Sequence, residues 1–124
     1  MTSRAQSAAH LNDVVVEKLL NLIESNFRSQ RLLNFYAEKL AMTSDHLNKQ
    51  VKRITGLTAG RMIRQRVLTE AKRLLASSHQ PINEIAYDLA YADPSHSVRC
   101  FRKDTGVTPR TFRERRAGQL RFTG

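Results

Sequence analysis

Lys52–Arg53–Ile54–Thr55–Gly56–Leu57–Thr58–Ala59 and Arg102–Lys103–Asp104–Thr105–Gly106–Val107–Thr108–Pro109 agree in residue type when the chain is shifted by 50 positions. Upstream, Thr43, His46, Lys49 and Val51 pair with Asp93, His96, Arg99 and Phe101 at the same shift, while Ala37 and Leu40 pair with Ala86 and Leu89 at 49. The slip of one falls in a turn, where insertions are tolerated. Two copies are too few for a solenoid, so the repeat must be a pair of small supersecondary units.

Apolar periodicity makes nearly every segment helical. Val16, Leu19, Leu20, Ile23 and Phe27 form one stripe, which predicts a first helix from Asp13 to Arg28. Leu33, Tyr36, Ala37 and Leu40 mark a short second helix. Thr43 is an N-cap for a third that turns Leu47, Val51 and Ile54 inward and stops at Gly56. Thr58 caps a long fourth helix to Ser77, with Ile63, Val67, Ala71, Leu74 and Leu75 on one face. Ile82, Ile85, Ala86 and Leu89 mark a short fifth. Asp93–Pro94 starts a sixth that ends at Gly106, and Thr108–Pro109 starts a seventh carrying Phe112. Nothing reads as a strand, so the expected class is all-α.

Each copy of the repeat pairs a short apolar-faced helix, with Ala and Leu three apart, with a capped second helix whose outer face is polar. Those are the needs of a helix-turn-helix: a small residue where the helices approach, and one face of the second helix spared for base edges. The expected organisation is residues 1–12 as a flexible segment or linker and 13–116 as a tandem helix-turn-helix domain. Within it lie a first unit over 13–57, a linker helix over 58–77 and a second unit over 82–116; residues 117–124 follow as a flexible tail. A linker helix of about 19 residues at 1.5 Å each spans roughly 28 Å, comparable with the roughly 34 Å between successive major-groove faces of B-DNA.

The charge supports a polyanionic partner. The net charge is +10, and it is segregated. Up to Asn48 basic and acidic residues balance; Lys49 to Arg73 holds eight cations against Glu70, and Arg99 onward holds eight against Asp104 and Glu114. With 40% hydrophobic residues the chain is globular, not a disordered polycation. Cys100 is the sole cysteine, so neither an intrachain disulfide nor a cysteine zinc cage is possible. His10, His46, His79 and His96 are scattered without metal-ligand spacing. Neither a phosphate-binding Gly-rich loop nor a nucleophile elbow nor a carboxylate pair is present. The expectations are a non-enzyme without cofactor, metal or small-molecule ligand, off the membrane, in the cytoplasm, with double-stranded DNA as partner.

From about Val14 to Arg113 the chain resembles the DNA-binding domain of the AraC/XylS family. The first carrying set is Leu40, Thr43, His46–Leu47, Lys49, Val51–Lys52–Arg53, Thr55–Gly56, Arg66, Ala71 and Leu74–Leu75. The second is Ile82, Glu84–Ile85–Ala86, Asp93, Ser95, Arg99, Phe101–Arg102–Lys103 and Gly106–Val107–Thr108–Pro109. The resemblance implies a seven-helix domain that binds an asymmetric promoter site and regulates bacterial transcription, often as an activator touching RNA polymerase. The chain departs from the family pattern at Ala90–Tyr91 in place of Gly–Phe, at His96–Ser97 in place of Tyr–Phe, at Ala59 in place of Pro and at Met62 in place of an aromatic. By the repeat, Ser97 should face the core where Leu47 does, and Ala90 should carry a left-handed backbone. Either Tyr91 and Phe101 close over the space, or, as favoured here, the second unit is looser and reads DNA less strictly than the first.

On the outer faces of the two second helices the base-reading candidates are Asp45, Asn48 and Lys49, then Ser95, His96, Val98 and Arg99. An Asn can pair with adenine, a Lys or Arg with guanine, and Val98 can touch a thymine methyl. The expected phosphate contacts are Lys52, Thr58, Arg61, Arg64, Arg102, Lys103, Thr108, Arg110 and Arg113. Arg66 is as readily structural as DNA-facing. Two other readings fit the composition: an architectural nucleic-acid binder without sequence preference, and a helical protein-interaction module. Residues 1–11 fit a linker cut from a larger regulator as well as a natural start, and the fragment is the favoured expectation.

Overall fold

The computed structural model describes the backbone of residues 4–91 and 93–123 and the side chains of 14–91 and 93–117. The described residues form seven helices and no strand: α1 (Arg4–Asn26), α2 (Leu33–Lys39), α3 (Ser44–Thr55), α4 (Ala59–Ser77), α5 (Ile82–Asp88), α6 (Pro94–Thr105) and α7 (Pro109–Thr123). They divide into two compact units, Met1–Arg66 and Val67–Gly124, with the boundary inside α4. The long helix thus contributes to both units instead of standing between them. Ala59 and Ile63 are buried in its first half, and Val67, Ala71 and Leu75 in its second.

Two helix ends differ from expectation. α1 begins at Arg4, well before Asp13, because the preceding stretch with Ala5, Gln6, Ala8, Ala9 and Leu11 favours helix though it lacks an apolar stripe. α7 continues to Thr123 through the stretch expected as a tail from 117, where most residues are again good helix formers.

In the first unit α1 packs on α2 and α3, and α2 on α3, burying Leu19, Ile23, Phe27, Tyr36, Leu47 and Val51. The Tyr36 hydroxyl donates to Gln30 O at 2.6 Å, so its burial leaves no unpaired polar group. In the second, α5 and α7 pack on α6. Ile85, Ala86, Leu89, Tyr91 and Phe101 are buried, and the Phe101 and Phe112 rings meet edge-on at 5.6 Å. Ser97 is buried as expected.

The turn between the two helices of each motif is the same capping structure. Leu40 and Leu89 end the first helices, and Ala41 and Ala90 follow at φ 54° and 59°. Ala41 N–H donates to Glu38 O and Met42 N–H to Ala37 O; Ala90 N–H donates to Tyr87 O and Tyr91 N–H to Ala86 O. This is the Schellman pattern, normally closed by Gly. The left-handed Ala90 was expected; Ala41 repeats it. Downstream, Thr43 and Asp93 cap α3 and α6 by accepting from His46 N at 3.1 Å and His96 N at 2.7 Å. Gly56 and Gly106 end them, both at φ 84°. Thr55 Oγ1 accepts from Leu57 N at 3.2 Å and Thr105 Oγ1 from Val107 N at 3.3 Å, closing the same loop twice.

Candidate nucleic-acid interface

In the first unit Leu47 and Val51 are fully buried, so the opposite face of α3 is left to solvent. Asp45, Lys49 and Lys52 are exposed there. Lys49 Nζ lies 3.0 Å from Asp45 Oδ2, an i,i+4 pair open to water on both sides. Such a pair holds by only about 0.3–0.5 kcal/mol, so a phosphate or guanine can take the ammonium from it. Asn48 is different: it is half-buried, and its Oδ1 accepts from Gly60 N at 3.1 Å. The residue expected to read adenine thus also caps the start of α4. Thr58 Oγ1 accepts from Arg61 N at 3.2 Å, and Arg61 and Arg64 are exposed beside it.

Arg66 is a structural residue of this unit. Its guanidinium grips Glu24 with both arms, Nε to Oε2 at 2.8 Å and Nη2 to Oε1 at 2.9 Å, and lies 4.1 Å over the Phe27 ring. The Arg66 hydrogen bonds hold the Glu24 carboxyl below its usual range. Two of the expected roles of this charge, DNA contact and core support, are thereby separated in favour of support.

In the second unit Ser95, Arg99, Arg102 and Lys103 are exposed on α6 and Val98 is half-buried. Ser95, Val98 and Arg99 share an open depression with Asn83 and Pro94. His96 does not join them. Its ring packs edge-on to Tyr91 at 6.0 Å, its Nε2 lies 3.4 Å from Cys100 Sγ, and its Nδ1 is buried without a hydrogen-bond partner. These contacts engage the His96 ring with Tyr91 and Cys100.

Arg113 is engaged within the second unit. Its Nε donates to Leu75 O at 3.1 Å and its Nη2 reaches Ser78 O at 3.5 Å, so it caps the C-terminal carbonyls of α4. Thr108 caps α7 by accepting from Thr111 N at 3.1 Å, and its hydroxyl lies 2.9 Å from Thr111 Oγ1. Arg110 is exposed in a loose pair with Glu114 at 3.2 Å. Arg73 of the first basic block is held by the buried Glu70 carboxylate, Nε to Oε1 at 2.7 Å. Asn83, which the shift of 49 pairs with Asn34, is exposed beside the depression of Ser95, Val98 and Arg99.

Residues 36–115 match a family described as a helix-turn-helix domain. A relative, the HTH-type transcriptional activator RhaS of Citrobacter koseri, is 30% identical over 119 residues, which is 96% of this chain and 42% of the relative. A transcriptional regulator of Chromobacterium violaceum described as AraC-type superposes with a TM-score of 0.73 at 20% identity, covering 85% of this chain and 94% of that one. The chain belongs to the AraC family. The AraC-type fold is shared by the DNA-binding domain of AdpA, solved with a target DNA, at a TM-score of 0.74 and 19% identity over 85% of this chain and 94% of that one. This AraC-family chain spans about two-fifths of the length of its curated RhaS relatives. Among its described residues no helix is long and apolar enough to cross a membrane.

Proposed function

We propose that this domain binds double-stranded DNA in a sequence-specific way and thereby regulates transcription, each unit setting its second helix, α3 or α6, into a major-groove segment. The observation that carries the reading is the two-faced build of these helices. Each is capped at its start, stopped by a left-handed Gly, buried along one face and cationic along the other. Lys49 and Arg99 are the principal base readers, with Asp45, Asn48, Ser95 and Val98 beside them. Lys52, Arg61, Arg64, Arg102, Lys103 and Arg110 hold phosphates. Thr58 and Thr108 act through the helix starts that they cap. By extension from the activator RhaS, the DNA-bound domain activates transcription by contact with RNA polymerase, and the domain itself performs no catalysis.

Selection of binding sites from a random DNA pool tests the reading. A defined motif is expected, with a log–log salt slope of at least about −5, since each neutralised phosphate contributes about −0.9. Equal affinity for random DNA at physiological salt would make the domain an architectural binder instead. A flat slope would leave a protein-interaction module.

A further inference from the structure

Asn34 and Asn83 occupy the same place in the repeat, each the second residue of the short first helix of its helix-turn-helix, α2 or α5. Their surroundings differ. Asn34 Oδ1 accepts from the Ser44 hydroxyl at 2.5 Å, which ties α2 to the start of α3. In the second unit the residue at the place of Ser44 is Pro94, whose ring has neither a hydroxyl nor an N–H to give. Asn83 is exposed, and it lines the depression shared by Ser95, Val98 and Arg99.

We propose that Asn83 is a DNA contact of the second unit, its carboxamide N–H donating to a backbone phosphate oxygen at the edge of the groove that Arg99 enters. The inference rests on the DNA-binding reading above. In a helix-turn-helix the second helix enters the groove while the first crosses the backbone. A polar side chain of the first helix that lines the shared depression therefore meets phosphate before base. The amide N–H is a suitable donor to phosphate, and Pro94 offers no hydroxyl to hold the Asn83 Oδ1 and so fix the direction of that amide. In the first unit Ser44 holds Asn34 by its Oδ1, which ties the Asn34 carboxamide to the start of α3. The chain thus uses a pair of identical residues in two ways, one for internal bracing and one for holding DNA.

A neutral ligand leaves a signature that no Lys or Arg contact has. It releases no counterion, so its contribution does not vary with salt. Binding of wild type and Asn83→Ala is measured on the selected site and on random duplex at several salt concentrations. Asn83→Ala should weaken both about 3- to 10-fold, the effect of one hydrogen bond, with an unchanged salt slope, selected motif and melting temperature. Asn83→Asp, which sets a carboxylate against phosphate, should weaken binding further. An affinity unchanged by Asn83→Ala overturns the inference, as does a preference altered at one base position, which would make Asn83 a base reader. A wild-type chain that binds no DNA overturns the DNA-binding reading itself, so the two failures are distinct.

Discussion

Ala41 and Ala90 hold the same left-handed backbone, φ 54° and 59°, at matching points of the two helix-turn-helix turns. Each serves the capping hydrogen bonds of its turn, and each places a Cβ where L residues are disfavoured by about 1–2 kcal/mol. Ala41→Gly and Ala90→Gly should each raise stability by about 0.5–1 kcal/mol, the strain relieved less the added entropy of an unfolded Gly. Urea unfolding monitored by circular dichroism measures this. A loss of stability in either variant would mean that the methyl group contributes packing that outweighs the strain. The selected DNA motif should not change.

The grip of Arg66 on Glu24 predicts a pH dependence. A carboxyl whose pKa is held lower in the folded chain than in the unfolded one contributes stability that is present above the unfolded value and lost as pH falls through the folded one. The Arg66 hydrogen bonds lower Glu24 from its ordinary 4.5, against a smaller opposing effect of desolvation. The melting temperature of Glu24→Gln should lie below wild type at pH 7, and the gap should close as pH drops below 4.5. A gap that stays constant from pH 7 to 3 would show that the pair contributes nothing as a charge pair.

Three arginines of the second unit should fail in three ways. Arg99→Ala should cost about 1–3 kcal/mol of DNA affinity and relax preference at one position, as for a bidentate contact to guanine. Arg110→Ala should weaken all sequences alike and reduce the salt slope by about 1. Arg113→Ala, which removes the cap on Leu75 O and Ser78 O, should instead lower folding stability by about 1–2 kcal/mol. Site selection and thermal melting on the same three proteins separate these outcomes. An unchanged motif in Arg99→Ala would reduce that residue to a phosphate contact, and an unchanged melting temperature in Arg113→Ala would remove its capping role.

Ser97 stands where the first unit has Leu47, and the neighbouring aromatics Tyr91 and Phe101 are themselves buried. Burial of these aromatics fits a core that closes around a small residue and speaks against the looser unit. Ser97→Leu should then overpack the core and cost about 1–3 kcal/mol, read by chemical denaturation. A gain in melting temperature would restore the looser picture.

Seven helices, their caps and the pairing of the two units were legible in the sequence because each is a local property. Thr43, Asp93, Thr58 and Thr108 cap by reaching backbone N–H groups three residues ahead. Gly56 and Gly106 stop helices by their own φ, and apolar spacing marks the buried face. The starts of α1 and the end of α7 were misjudged for the same reason, since propensity without an apolar stripe gave no signal to count.

The fate of individual charges and amides was not local. Arg66 meets a carboxylate 42 positions away, Arg113 meets carbonyls 35 and 38 away, and Asn48 meets an amide 12 away. On a helix surface a solvated Arg, a capping Arg and a phosphate-binding Arg read identically, because what distinguishes them is the partner that packing brings within hydrogen-bond reach. The sequence alone thus determined that the chain builds two helix-turn-helix units with a polar face on each second helix. Which of those polar side chains remain available to DNA, and which are spent on holding the units together, was decided by the tertiary structure, because a hydrogen bond is made only by groups that the fold places at bonding distance.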